Sequence, residues 1–272
     1  MNKYARSVIA TVMGGAMMVG AAAPASALTW QDIVDYFKGG GSSESTTTTT
    51  PDTPPTSESQ SATDQASGEV GAMLAGLRDA QEGQSPESVV PENDTGYVRE
   101  DYMRDWIKLS QQDNVSFEDY GPAADRLKDN CSVRQAILIR DGEGVQVDDS
   151  CKPIAGHWED PYGSGKTWDP SNVSQMDIDH VVALDAVHRA GGHNMDSETK
   201  SSIAMDPLNL LAVDRSLNRS KGSQDANTWL PIGDDAICFY VDRQIRVKDK
   251  YDLSVTGAER STLQDKVESC GL

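Results

Sequence analysis

The sequence predicts an α+β fold, with hairpins in the middle of the folded part and helices around them. Two stretches favour strands: "RQAILIRDGEGVQV" at 134–147, which suggests two strands around a turn that contains Asp-Gly, and "VSQMDID" at 173–179. Helical spacing of apolar side chains in "REDYMRDWIKLS" at 99–110 predicts an opening helix. The stretch 238–270 predicts two helices separated by a turn, the second capped near Ser254 or Thr256.

The N-terminus has the features of a secretory signal peptide. Lys3 and Arg6 give a positive start, an apolar run follows over 8–23, and Ala25-Ser26-Ala27 forms a small-x-small cleavage site. The apolar run is short for a membrane span and has no stop-transfer flank. We therefore expect a signal peptide over 1–27 and a secreted, extracellular protein without a transmembrane anchor.

Composition divides the rest of the chain into three parts. Residues 28–40 form a short N-terminal segment that ends in glycines. Residues 41–94 are rich in Ser, Thr and Pro, and such a composition buries too little apolar surface to offset chain entropy. We expect a disordered linker there, with one short helix over 70–80, and a globular domain over 95–272.

Four cysteines lie in the globular part, at positions 131, 151, 238 and 270. An even number in an exported chain predicts two disulfides. Three pairings are possible, and chain order favours Cys131 with Cys151 and Cys238 with Cys270. The alternative is a metal site made of all four thiolates, although the chain has no C-x-x-C spacing.

The formal net charge of −19 argues against a protein that coats nucleic acid through general basicity. Residues 95–272 hold 31 acidic and 20 basic residues, so the globular part is itself at −11. Phosphate binding must therefore come from a metal ion or a local basic patch. The candidates for such a patch are Arg189, Arg215, Arg219 and Lys221.

Short elements follow one another between residues 176 and 222. The strand "MDID" leads into a helix over "HVVALDAVHRAGG", which is closed by Gly191-Gly192. "TKSSIAMDPLNLLAV" predicts a helix, a break at Pro207 and a short strand. "DRSLNRSKG" predicts a further helix with Asp214 as its N-cap.

Polar residues in this region exceed what packing requires. Asp179 and His180 lie at a strand–helix junction, Asn209 lies on the next strand, and Asn218 lies on the helix after it. A hard divalent cation prefers oxygen ligands, which Asp179 and Asn218 could supply, with water completing the shell. Magnesium suits such a sparse site, with manganese as an alternative, and His180 could take a proton from an attacking water. Asp177 shares a strand face with Asp179 and is either a further ligand or solvated.

These residues resemble a known family. "DIDHVVAL" followed by "NLLAVDRSLNRSKG" is similar to the HNH, or ββα-metal, endonucleases, and in particular to exported actinobacterial HNH-family proteins that share the C-terminal domain of GmrSD-type restriction enzymes. The resemblance extends to "YVRE" at 97–100, "CKPIAGHWEDPYGSG" at 151–165 and "DANTWLP" at 225–231. It covers about 175 residues and includes the nine-residue spacing from Asn209 to Asn218.

The resemblance implies an HNH (ββα-metal) core with surrounding helices, and metal-dependent hydrolysis of phosphodiester bonds in nucleic acid, DNA favoured over RNA. Asp179 and Asn218 would be the metal ligands, and His180 would be the general base. Asn209 would fix the loop and the His180 ring through hydrogen bonds. Lys221 would contact phosphate.

Other interpretations stay open at this stage. Asp179 with His180 could be a helix N-cap beside a satisfied histidine. Arg134 could bridge to a core carboxylate or touch nucleic acid. Ser132-Val133 and His188 depart from the Asp-Thr and the Trp that relatives often carry, which bears on substrate fit. The alternatives for function are an inactive HNH-like module that mediates interactions at the cell envelope, and a ribonuclease or toxin.

Overall fold

The computed structural model describes residues 68–80, 96–112 and 115–272. The predicted signal peptide, the 28–40 segment and the linker on either side of 68–80 lie outside these ranges. Within the described ranges, no helix is long and apolar enough to cross a membrane.

The described chain is a mixed helix and sheet fold, as the sequence predicts. One antiparallel sheet contains β1 (Glu143–Val147), β2 (Pro153–Glu159) and β3 (Thr167–Trp168), and a second contains β4 (Met176–His180) and β5 (Leu210–Asp214). The α-helices of the described ranges are α1 (68–76), α2 (Val133–Asp141), α3 (Leu184–Arg189), α4 (Ser197–Met205), α5 (Arg215–Lys221), α6 (Asp234–Lys250) and α7 (Gly257–Cys270).

The second sheet and the helix after it form a strand–strand–helix unit. β4 and β5 pair in continuous antiparallel register, from Met176 opposite Asp214 to His180 opposite Leu210. α5 follows β5 directly and packs against both strands. Asp214 begins the helix, because its carboxylate accepts two backbone N–H groups of the first turn. The predicted N-cap is confirmed, and this unit frames the polar residues singled out in the sequence.

The prediction of two strands over 134–147 is wrong in its first half. Val133–Asp141 is helical, and only Glu143–Val147 is a strand. Ser132 and Gln135 form a capping box that begins the helix. The central apolar run of α2 is buried on every side, and periodicity does not separate a buried helix from a buried strand in such a run.

The opening helix predicted over 99–110 is also wrong. The segment contains two short 3-10 turns, Arg99–Asp101 and Leu109–Gln111, with non-helical backbone between them. Lys108 forms an antiparallel bridge with Ser132, so pairing with a distant part of the chain replaces local helix formation. Tyr102 is nevertheless buried, and the apolar spacing marks core contacts instead of a helix.

Both disulfides have the pairing that chain order favours. Cys131 is bonded to Cys151 and ties the start of α2 to the turn between β1 and β2. Cys238 is bonded to Cys270 and joins α6 to the end of α7. No cysteine is free in the described part of the chain, so the four-thiolate metal site is excluded.

Helix α1 packs onto the C-terminal helices, a contact that the sequence did not predict. Its residues Val70, Leu74 and Leu77 are buried in a core shared with α6 and α7. Arg260 on α7 donates to the carbonyls of Leu74 and Leu77 and forms an ion pair with Asp79. Residues 68–80 therefore belong to the folded part of the protein, although they lie within the stretch 41–94 that was predicted to be a disordered linker.

Replacing Leu74 with alanine should lower the free energy of unfolding by about 2–4 kcal/mol, because a buried leucine leaves a partly uncollapsed cavity when truncated. Ala72→Ser, on the exposed face of the same helix, should change it by less than about 0.5 kcal/mol. Chemical denaturation followed by circular dichroism measures both variants. Equal stability of Leu74→Ala and the wild type would show that α1 is not part of the cooperative unit.

Candidate functional site

Alternation along β4 divides its side chains between the two faces of the sheet. Asp177 and Asp179 contact α5, whereas Ile178 and His180 lie on the opposite side. His180 is the last residue of the strand, so its imidazole and the Asp179 carboxylate both lie at the end of the sheet, on opposite faces. Any chemistry that combines the two residues has to take place at this end.

Asp179 is buried, and both of its carboxylate oxygens accept hydrogen bonds. The Tyr162 hydroxyl donates to Oδ2 at 2.6 Å, and Lys221 Nζ donates to Oδ1 at 3.0 Å. Burial raises the pKa of the Asp179 carboxyl, and the Lys221 ammonium and the Tyr162 hydroxyl oppose that rise. The two partners fix the orientation of the carboxylate, and Lys221 compensates its charge.

Lys221 is fully buried, although the sequence placed it in contact with phosphate. Its ammonium donates to the His180 carbonyl at 2.9 Å as well as to Asp179. It thereby ties the last turn of α5 to the end of β4. In this arrangement Lys221 positions Asp179 and is not available to a phosphate in solvent.

The face of α5 toward β4 carries Arg215, Asn218 and Lys221, which are spaced three residues apart. Arg215 Nε donates to Asp177 Oδ1 at 3.0 Å, and Asn218 Nδ2 donates to Asp177 Oδ2 at 3.2 Å. Asn218 therefore contacts Asp177, while Asp179 is held by Lys221. The amide oxygen of Asn218 has no donor among the described residues and can still bind a cation.

His180 presents a neutral imidazole. Its Nε2 lies 2.9 Å from the Ala204 carbonyl oxygen, and because a carbonyl can only accept, Nε2 carries the proton and Nδ1 the lone pair. Burial lowers the pKa of His180 to about 3, with the Ala204 hydrogen bond opposing the shift. The ring of Trp106 lies alongside, with 6.1 Å between ring centroids and 10° between ring planes. Near neutral pH His180 is therefore a neutral imidazole with its lone pair at Nδ1, although so low a pKa makes it a weak base in this buried setting.

Asn209 is fully buried and fixes the loop that follows His180. Its Oδ1 accepts the Val182 N–H at 2.8 Å, and its Nδ2 donates to the carbonyls of Val182 at 3.3 Å and Ile203 at 3.4 Å. It thus ties the β4–α3 loop to the end of α4. The His180 ring itself is held by the neighbouring Ala204 carbonyl.

The three arginines predicted to bind nucleic acid have different environments. Arg189 pairs with a carboxylate on its own helix and donates to a carbonyl after α5. Arg215 pairs with Asp177. Arg219 is exposed on α5. Arg189 and Arg215 are engaged by carboxylates, although the Arg215 side chain is still 42% exposed, so the basic patch is smaller than the sequence suggests.

The alternative interpretations of neighbouring residues are settled by their contacts. Asp179 does not cap α3, whose N-cap is Ala183 and lacks a side-chain hydrogen bond. Arg134 donates to the Met176 carbonyl at 2.9 Å and so supports the start of β4. One ring nitrogen of His188 lies 3.2 Å from a buried tyrosine hydroxyl. Arg134 and His188 therefore have structural contacts near the strand–strand–helix unit.

Two aromatic residues at the site, Tyr162 and Trp106, were not among the sequence candidates. Each reaches the strand–strand–helix unit from an irregular segment distant in sequence. No periodic pattern marks a residue that approaches a site from a loop. The signal that could have found them is a large aromatic side chain within the segments 99–110 and 151–165, which precede the motif.

The oxygen atoms near α5 are of the class that binds a hard divalent cation, but all four carboxylate oxygens of Asp177 and Asp179 already accept hydrogen bonds from protein groups. Asp177, Asp179 and Asn218 offer carboxylate and amide oxygens, the class of ligand that Mg²⁺ prefers. Within the described residues no three His, Cys, Asp or Glu side chains form a metal-binding cluster. Lys221 already compensates Asp179, which limits the attraction for a further cation.

Comparison with known proteins identifies the domain. Residues 135–266 match a family model described as "GmrSD restriction endonucleases, C-terminal domain". An uncharacterized secreted protein from Arthroderma benhamiae is 40% identical over 142 residues, which are 52% of this chain and 68% of the relative. The chain belongs to the GmrSD C-terminal domain family. No solved structure matches it.

The matched range places most of the site within the GmrSD C-terminal domain. It includes β4, β5 and α5, and therefore Asp179, His180 and Asn218. Trp106 lies before the matched range, on the segment that packs alongside His180. The family suggests a nuclease-related function for the domain.

Proposed function

We propose that this GmrSD-domain protein is a secreted, metal-dependent endonuclease that hydrolyses phosphodiester bonds, with DNA favoured over RNA. The description of the family supports a nuclease-related activity, and the description of the fungal relative as secreted supports export. The observation that carries the reaction is the neutral His180 ring, whose Nδ1 can accept a proton at the end of β4.

His180 acts as the general base in this proposal. The Ala204 carbonyl holds Nε2–H, so Nδ1 takes the proton from the water that attacks phosphorus. Asn209 keeps the loop after His180 in place and thereby fixes the end of the strand. A positioned base of this kind contributes about 10²–10⁴-fold to the rate.

Asp179 and Asn218 would hold the divalent cation, Mg²⁺ first and Mn²⁺ as an alternative, with Asp177 as a further donor. A bound cation supplies charge stabilisation to a phosphoryl transition state. Lys221 opposes the rise in the pKa of Asp179 and orients its carboxylate through their buried pair. Arg219 is an exposed basic side chain of α5 that can contact a phosphate.

Metal binding should raise the melting temperature, because a ligand that binds only the folded state stabilises it by mass action. At a magnesium concentration about ten times Kd, the gain is about 1.4 kcal/mol, or about 3–6 °C for a domain of this size. Asn218→Ala should lose most of this shift. Arg219→Ala, the adjacent exposed control, should keep it. Scanning fluorimetry with and without magnesium measures all three proteins, and a full shift in Asn218→Ala would remove Asn218 as a ligand.

The activity is tested by incubating residues 28–272 with plasmid DNA and with RNA, in magnesium, in manganese and in EDTA. Cleavage of DNA that needs a metal supports the proposal. Cleavage of RNA alone would change the assignment to a ribonuclease. The DNA and RNA reactions run in parallel, so the two outcomes are separated in one experiment.

A second candidate is an inactive domain that mediates interactions at the cell envelope. The observation that favours it is the closed pair of Asp179 and Lys221, in which a buried ammonium already compensates the carboxylate. The charge of −11 over 95–272 also opposes close contact with phosphates. This candidate predicts neither metal-dependent stabilisation nor cleavage.

A further inference from the structure

Trp106 is the residue whose placement the proposed chemistry does not yet explain. It lies on the segment 96–112, next to the imidazole of His180, with ring planes only 10° apart. The ring centroids are 6.1 Å apart, so the two rings lie side by side in an offset arrangement. The Trp106 side chain is partly exposed, whereas His180 is buried.

A comparison with Trp158 shows that Trp106 is not an ordinary core residue. Trp158 is 1% exposed, and its Nε1 donates to the Leu138 carbonyl at 2.8 Å, as buried tryptophans usually do. Trp106 packs against the edge of the core, and its Nε1 has no acceptor among the described residues. An indole that is only partly covered offers apolar surface and a free N–H beside the proposed base.

Charge alone does not supply affinity for nucleic acid at this place. The segment 96–112 carries three acidic and three basic residues, and the globular part is at −11. Arg99 is exposed on the same segment as Trp106. One cation beside an aromatic ring can hold a phosphate while the ring contacts a base.

We propose that Trp106 is a stacking platform for an unpaired base of the substrate, so that the site acts on single-stranded nucleic acid in preference to duplex. This inference rests on the proposed nuclease function and names its substrate class. In a duplex both faces of each base are covered by its neighbours, and exposing one costs a few kcal/mol. In a single strand the faces are accessible, and stacking on an aromatic side chain is worth about 1–3 kcal/mol per base.

The test compares the wild type with Trp106→Ala, Trp106→Phe and Val98→Ala. Val98 is an exposed apolar residue of the same segment and lacks a ring, so it is a matched control. The substrates are a fluorescently labelled DNA oligonucleotide and the same strand in a duplex, in magnesium.

We expect the wild type to cut the single strand faster. Trp106→Ala should raise KM for the single strand by about 5–150-fold, the equivalent of the stacking energy, with kcat changed little. Trp106→Phe should recover most of the loss, and Val98→Ala should resemble the wild type.

An equal fall in kcat on both substrates would show that Trp106 only orients His180, and would overturn the inference. So would an unchanged ratio of single-strand to duplex cleavage. Binding provides a second readout that needs no cleavage: fluorescence anisotropy of the same oligonucleotide with His180→Ala and with the double variant His180→Ala, Trp106→Ala. Weaker binding by the double variant supports stacking even if the proposed activity fails, and equal or absent binding contradicts it.

Discussion

Replacing His180 with alanine should reduce phosphodiester cleavage by about 10²–10⁴-fold, the usual contribution of a positioned general base. The imidazole is the group at the end of β4 that is neutral and holds a lone pair at Nδ1, since Nε2–H is engaged by the Ala204 carbonyl. The loss should appear in kcat, because a general base acts only on the transition state. Initial rates at saturating substrate, with equal protein and metal, measure it.

Folding of this variant needs its own measurement, because the ring of His180 is buried beside Trp106. A cooperative melting transition for His180→Ala would show that lost activity is not lost structure. His193→Ala is the matched control, since His193 is exposed and lies in the same domain. Activity of His180→Ala within a few-fold of the wild type would remove His180 as the base.

Replacing Lys221 with methionine should destabilise the protein by about 3–5 kcal/mol, the usual result of breaking a buried ion pair by removing one partner. Lys221 is fully buried, and its ammonium holds both the Asp179 carboxylate and the His180 carbonyl. Methionine has a similar length and apolar stem, so the loss comes from the uncompensated charge of Asp179. Chemical denaturation gives the free energy of unfolding.

The double variant Lys221→Met, Asp179→Asn separates charge from packing. Without the carboxylate there is no buried charge to compensate, so the double variant should recover a large part of the stability that Lys221→Met loses. A double variant whose loss equals the sum of the two single losses would show that the two residues do not interact. If Lys221→Met were as stable as the wild type, the buried pair would contribute no net stability.

The fold was predictable where local signals and tertiary packing agree. Asp214 begins α5 in the structure because its side chain can accept the N–H groups of the first turn, which is a purely local property. The disulfides follow chain order because the elements they join are close along the chain. In contrast, the 99–110 segment has helical spacing of its apolar residues. It nevertheless forms two 3-10 turns, and Lys108 pairs with Ser132 in a bridge between them and α2. Tertiary pairing of this kind leaves no mark in the local sequence.

The positions of the candidate site residues in the fold were easier to predict than their contacts. Asp179 and His180 lie at the end of a strand, as the motif indicates, whereas Asn209 ends the 3-10 turn before β5 instead of lying on the strand. The inward direction of Lys221 was not predictable, because a lysine on a short helix usually faces solvent and turns inward only where a buried carboxylate meets it. The hydrogen bond from Tyr162 to Asp179 likewise depends on how a loop folds over the sheet.

The most direct test of the account is the initial rate of plasmid nicking by the wild type and by His180→Ala in the same magnesium buffer, each with an EDTA blank. We expect nicking by the wild type that EDTA abolishes, and a rate for His180→Ala lower by about 10²-fold or more. Nicking that persists in EDTA, or equal rates for the two proteins, would contradict a metal-dependent nuclease with His180 as its base.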